Sequence, residues 1–157
     1  MSDTRIRVPQ ATDLLKEDHR KVRRLFQEYG KLAEDDVASK ASLFESLYQE
    51  LTIHGRVEEE IFYPAIAEAV EDEETADLIE EAREAHEEVK MLLEEMTDLS
   101  PGEETFEAKM TALRENVERH VEEEEKELFP CFKDLEDEIQ EEVGERIRDR
   151  RNELSAE

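Results

Sequence analysis

The four histidines of this chain, His19, His54, His86 and His120, are its most chemically specific residues. Each falls on the apolar stripe of a different helical stretch. His19 lies between Leu15 and Val22, His54 follows Leu51, His86 lies between Ala82 and Val89, and His120 follows Val117. Glu58 and Glu124 stand at i+4 from His54 and His120, so on a helix each carboxylate shares a face with its imidazole. A carboxylate turned into a core takes up a proton unless a cation compensates its charge. Imidazole and carboxylate without thiolate form a metal-ligand set. It argues against iron–sulfur clusters and Cys-rich zinc sites and leaves Fe, Mn, Zn, Ni and Co open.

Antiparallel neighbours hold two residues at one height when the turn between them lies midway in sequence. The midpoint of His19 and His54 falls at the Asp35-Asp36 turn, and that of His54 and His86 beside the acidic Glu71-Asp72-Glu73 turn. That of His86 and His120 falls at the Pro101-Gly102 loop, so all four imidazoles are expected in one layer with the two glutamates. Four imidazoles and two carboxylates suit two cations, each with two histidine nitrogens and one oxygen from each bridging carboxylate. An oxo or hydroxo bridge then leaves one open position per metal, which O₂, peroxide or NO requires. The Glu-x-x-His pairs of ferritin-like sites are absent, because Lys16, Leu51, Arg83 and Val117 stand three residues before the histidines.

The elements that must position this layer are all helical. Only four Gly and four Pro occur, no stretch alternates with period two, and apolar residues recur at threes and fours, so the fold class is all-α. Helices are expected over residues 11–34 and 38–70, with Pro64 kinking the second or ending it early. A third runs from the acidic turn to Asp98, and a fourth, carrying Phe106, Met110, Leu113 and Val117, ends at Pro130. A fifth segment, residues 132–153, repeats Leu135, Ile139, Val143 and Ile147 at i+4, and such a face can dock on the same chain or on a second subunit. The segment from His54 to Pro64 aligns without gaps on that from His120 to Pro130, matching His, Glu, an apolar residue, an aromatic and Pro. With His19-x-x-Val22 matching His86-x-x-Val89, the chain reads as a duplicated helical hairpin.

The chain has 157 residues, a formal charge of −26 and 43% charged residues. Such a surface repels phosphate backbones and anionic headgroups, so neither nucleic acid nor membrane is an expected partner. No run approaches the ~18 apolar residues of a membrane span, the N-terminus lacks a signal-peptide pattern, and Cys131 is the only cysteine. A cytoplasmic location is expected.

His19, His54-x-x-x-Glu58, His86 and His120-x-x-x-Glu124, followed by Phe62-Tyr63-Pro64 and Leu128-Phe129-Pro130, resemble the hemerythrin-like (HHE cation-binding) domain over residues 11–132. The resemblance implies an antiparallel up-down-up-down four-helix bundle over residues 11–131, with residues 1–10 an N-terminal arm and 132–157 an added amphipathic helix and tail. It implies a non-haem di-iron centre in which His19 and His54 hold one iron, His86 and His120 the other, and Glu58 and Glu124 bridge. Zn or Mn are possible substitutes. The oxygen-carrying members have a fifth histidine where this chain has Lys90, and a bridging carboxylate where it has Glu125. Glu124 keeps the stripe, and the ligand set is closest to the iron-centre repair (RIC-type) relatives.

The function this implies is binding, sensing or reducing a small oxidant such as O₂, peroxide or NO. Its alternatives are an iron-handling protein that stores or donates iron, and a bundle stapled by a structural metal. Further expectations concern the surroundings. Glu50 and Asn116 are candidates to hydrogen-bond the outer nitrogens of His54 and His120, and Gly55 to relieve crowding beside the site. Tyr29, Tyr48 and Tyr63 are read as packing residues, and Glu59-Glu60 and Glu122-Glu123 as solvated faces. Lys90 is expected to run its stem along the bundle with its amine outward.

Overall fold

A computed structural model describes residues 10–156, and of the proposed arm only Gln10 lies within them. The described chain is all-helical: α1 (Ala11–Gly30), α2 (Val37–Val57), α3 (Tyr63–Ala69), α4 (Glu73–Thr97), α5 (Glu104–Glu123), α6 (Phe129–Lys133) and α7 (Asp137–Ala156). Between α2 and α3, and between α5 and α6, the backbone stays helical through five-residue π turns, Glu58–Phe62 and Glu124–Leu128. Four antiparallel rods result, α1, α2–α3, α4 and α5–α6, and α7 lies against them.

Short polar residues start the second and third rods. The Asp36 carboxylate accepts from the Ser39 N–H at 3.2 Å and that of Asp72 from the Thr75 N–H at 2.7 Å, each satisfying a free donor of a helix start. The loop into α5 passes through Gly102 at φ 98°, a conformation open to glycine. Helix α1 stops at Gly30 rather than at residue 34. The N–H groups of Lys31 and Leu32 turn back to carbonyls three residues earlier and close the helix.

The prolines act differently from the expectation. Pro64 does not end its rod, which continues to Ala69, and Pro130 does not end the fourth, which continues to Lys133. In each rod the turn ahead of the proline widens: the Tyr63 N–H donates to the Glu58 carbonyl and that of Phe129 to Glu124, five residues back. Each proline then stands in the first turn of a new α segment, where a missing N–H leaves no bond unmade. The last helix accordingly starts at Asp137 instead of residue 132.

Two apolar clusters fill the bundle. One gathers Leu15, Phe62, Tyr63, Ile66, Phe129 and Phe132 with Val143, Ile147 and Leu154 of α7, so that helix docks on its own bundle. The other gathers Val22, Phe26, Leu47, Leu93, Met96, Phe106 and Leu113. At its far end Tyr29 donates to Glu107 at 2.8 Å and Lys40 pairs with the same carboxylate at 2.7 Å, tying α1, α2 and α5 together. The histidines lie between the clusters in all four rods.

Ile147 is fully buried and Glu145 exposed. Ile147→Ala is expected to lower unfolding free energy by about 2–5 kcal/mol and Glu145→Ala by no more than about 0.5 kcal/mol. Urea unfolding of the two variants measures both, and equal effects would show that α7 does not pack as described.

Candidate metal centre

All six residues singled out by spacing converge in one buried layer. His19 and His54 face each other with their Nε2 atoms 3.2 Å apart, and His86 and His120 with theirs 3.1 Å apart. Two nitrogens each ~2.1 Å from one ion at a right angle are themselves ~3 Å apart, so each pair is spaced as two ligands of one cation. The carboxylates stand between the pairs. Glu58 Oε1 lies 3.0 Å from His54 Nε2 and 3.1 Å from His86 Nε2. Glu124 directs Oε1 to His19 Nε2 at 3.2 Å and Oε2 to His120 Nε2 at 3.3 Å. The ligand atoms form two compact groups that share Glu58: His19, His54, Glu58 and Glu124, and Glu58, His86 and His120.

These carboxylates are 0% and 1% exposed. Oε2 of Glu58 and Oε1 of Glu124 have no hydrogen-bond partner, the latter despite its short approach to His19. Burying such oxygens without a donor is unfavourable by several kcal/mol. A cation at the His19/His54 pair would meet the orphaned Glu124 Oε1, and the charge of Glu58 lies between the two pairs, so the residues present fit a metal site.

The outer nitrogens of His54 and His19 are fixed by further carboxylates. His54 donates from Nδ1 to Asp18 at 2.9 Å, and His19 from Nδ1 to Glu125 at 2.7 Å. Each bond places the proton on Nδ1 and leaves the Nε2 lone pair facing inward. Glu59 lies 3.4 Å from His86 Nδ1 and is therefore not a purely solvated residue. Asp18 is in turn held by Arg151 of α7 at 2.8 Å. Glu50 and Asn116 do not take the roles expected for them: Glu50 pairs with Lys21 at 2.6 Å, and Asn116 with Arg119. Glu125 serves His19 from outside, while Glu124 occupies the layer. Gly55 relieves no crowding, since a Cβ there would meet His86 Nδ1 at an ordinary 3.9 Å.

Tyr63 is the residue that spacing missed. Its hydroxyl donates to Glu124 Oε2 at 2.5 Å and lies 3.2 Å from Glu58 Oε1 and 3.3 Å from Nε2 of both His86 and His120. At 100° per residue Tyr63 stands about 140° round the helix from Glu58, off the inward face. The π turn restores it, because residues five apart then stack. A proline six residues after each i+4 glutamate was the available signal. Phe129 takes the same place after Glu124 and stacks on His19, with centroids 5.8 Å apart and planes 5° from parallel.

Electrostatics couple the layer. Burial pulls the imidazole pKa values down, but the carboxylates outweigh it: His54 is held well above its usual range, and His120 is raised to about 10. Burial pushes the other way on Glu58, yet His54 beside it keeps the carboxyl well below its usual range. Burial and then the charges of Glu124 and Glu58 hold the Tyr63 phenol neutral well above pH 10.

A histidine whose folded pKa is raised stabilises fully below its unfolded value near 6.5, and that stability is lost as pH rises through the folded value. The metal-free protein should therefore lose stability between about pH 6.5 and 10, less so in His120→Gln. Metal needs the deprotonated rings, so its increment to Tm should widen over the same range. Thermal unfolding of chelator-stripped and metal-loaded protein at pH 6 and 9 measures this, and an increment that shrinks with pH would contradict it.

Comparison with known proteins places the geometry in a family. Residues 10–132 match the family described as Hemerythrin HHE cation binding domain. A cyanobacterial protein described as a DNA nickase, from Nostoc sp. (strain PCC 7120 / SAG 25.82 / UTEX 2576), is 31% identical over 121 residues, which are 77% of this chain and 33% of that protein. The chain thus spans about a third of the length of that relative. The crystal structure of a Hemerythrin HHE cation binding domain-containing protein, the Rv2633c homolog from Mycobacterium kansasii, superposes with a TM-score of 0.78 at 26% identity, covering 92% of this chain and 86% of that one. The chain belongs to the hemerythrin HHE cation-binding domain family.

Proposed function

We propose that this protein is a non-haem di-iron protein whose centre binds, senses or reduces a small oxidant such as O₂, peroxide or NO. One iron is assigned to His19 and His54, the other to His86 and His120, with Glu58 and Glu124 between them. The observation that carries this reading is the pair of buried carboxylates, each within about 3.3 Å of a nitrogen from both histidine pairs. Two histidine pairs spaced alike support two ions rather than one. Iron in these positions supplies reversible one-electron chemistry, which imidazole and carboxylate ligands without thiolate accommodate.

The protein's own residues set the conditions for that chemistry. Asp18 and Glu125 keep His54 and His19 in the Nδ1–H tautomer with Nε2 presented. Tyr63 supplies Glu124 with a hydroxyl donor on the His86/His120 side, and Phe129 supplies none to the other half. The six proposed ligands are buried or nearly so, which suits an ion that is retained and disfavours one readily handed on. Nickase activity is not carried over from the Nostoc relative, since a chain of net charge −26 opposes approach to DNA.

Metal analysis of well-loaded protein should give about two equivalents per chain. Glu58→Gln and Glu124→Gln should each remove about half of the metal or more, and Glu123→Gln, on an exposed residue, almost none. Saturation of the wild type at one equivalent, or equal loading of the three variants, would overturn the dinuclear assignment.

Tyr63→Phe gives this half the residue its counterpart has in Phe129. About two equivalents should still bind, while the near-ultraviolet ferric bands shift because Glu124 has lost its donor. An unchanged spectrum would show that the hydroxyl does not act on the centre.

A further inference from the structure

The layer has two unlike sides. Below it Phe62, Tyr63 and Phe129 close the bundle with their rings. Above it lies a cavity of about 200 Å³ onto which all four histidines face. Its walls are apolar: Val22, Leu51, Val89, Leu93, Val117 and Val121. Exposed Arg56, Lys90 and Glu94 border it, so it opens between α2 and α4. Lys90 is an exposed residue at this mouth.

The cavity is far larger than a diatomic or hydrogen peroxide needs. An enclosed apolar cavity of roughly 150 Å³ takes up benzene, and this one is of comparable size, with an aliphatic wall on one side, the imidazoles on the other and an open mouth. Away from the imidazoles its inner wall is aliphatic around Tyr48, so the part of a ligand lying there finds no partner for a charge, and Glu59 joins the charged residues at its edge. The charges at the mouth are of both signs and favour neither an anion nor a cation. An uncharged molecule with an apolar body satisfies both conditions.

We propose that this cavity is the substrate site of the centre and that it takes a small uncharged organic molecule about the size of a substituted benzene, held against the histidine layer. This rests on the metal-centre reading for its role, but not for the binding itself.

Val89 is half-buried on α4, and a phenylalanine there would fill the cavity from the rim without touching the layer's carboxylates. The test is calorimetric titration of metal-loaded protein with toluene and with 2-phenyl-2-propanol, followed by methyl NMR of the zinc-loaded form to locate the site. One saturable site is expected, with shifts at Leu51, Val89 and Leu93, and Val89→Phe should weaken both ligands by at least about tenfold. Leu51→Phe, from the opposite wall, should do the same. Binding of neither ligand, or binding that both variants leave unchanged, would overturn the proposal. Metal content measured on the same samples keeps the two readings apart. Wild type holding two equivalents but no ligand refutes the cavity alone, and ligand binding at one equivalent refutes the dinuclear centre alone. Variants with wild-type metal content are thereby shown to be folded.

Discussion

Two glutamates that reach no solvent lie at the middle of a bundle, between two apolar clusters. Each carries a negative charge into a place where water cannot solvate it, and the surrounding side chains are arranged around that fact. Four imidazoles stand within about 3.3 Å of the carboxylate oxygens, and a phenol donates to one of them. Two carboxylate oxygens still lack a donor, so the protein alone does not complete the set. The apolar clusters on either side surround the layer and leave it one opening, so the imbalance is only weakly screened. Five carboxylates counted from the centre outward, Glu58, Glu124, Asp18, Glu125 and Glu59, meet four imidazoles and one arginine.

The layer itself was legible in the sequence because its residues follow α-helical periodicity. His54 and Glu58, and His120 and Glu124, share faces at i+4, and turns lying midway between histidines level the rods. What followed the glutamates was not legible by the same rule. A π turn shifts the phase of every later residue, so Tyr63 counted as packing at 100° per residue and Pro130 as an end. The outer partners of the histidines were also misplaced. Glu50 and Asn116 were sought one turn away along the same helix, whereas Asp18 and Glu125 come from neighbouring rods and depend on how those rods rotate. Docking of α7 on its own bundle is likewise a property of packing, since an amphipathic face does not say which surface it meets.

Helix α7 lies outside the segment matched by the family, yet it reaches the centre. Arg151 holds Asp18, and Asp18 holds His54, so two hydrogen-bonded contacts join a C-terminal addition to an inner imidazole. Arg150 makes a comparable link to Glu60 in the first π turn at 3.0 Å. Displacing this helix would therefore disturb the His54 side of the layer before the His120 side. The hairpins are duplicates in pattern, but their surroundings are not, and α7 together with the Tyr63 and Phe129 pair makes the two halves inequivalent.

The π turns also bear on how such a chain came to be. A π turn is an α-helix that has gained one residue without breaking, and here both gains sit at the same offset from a histidine, a glutamate and a proline. A single insertion in an ancestral hairpin, copied when the hairpin was doubled, accounts for both with one event instead of two. The two turns thus share one phase, and what separates the halves beside the layer is a single oxygen atom on one aromatic ring.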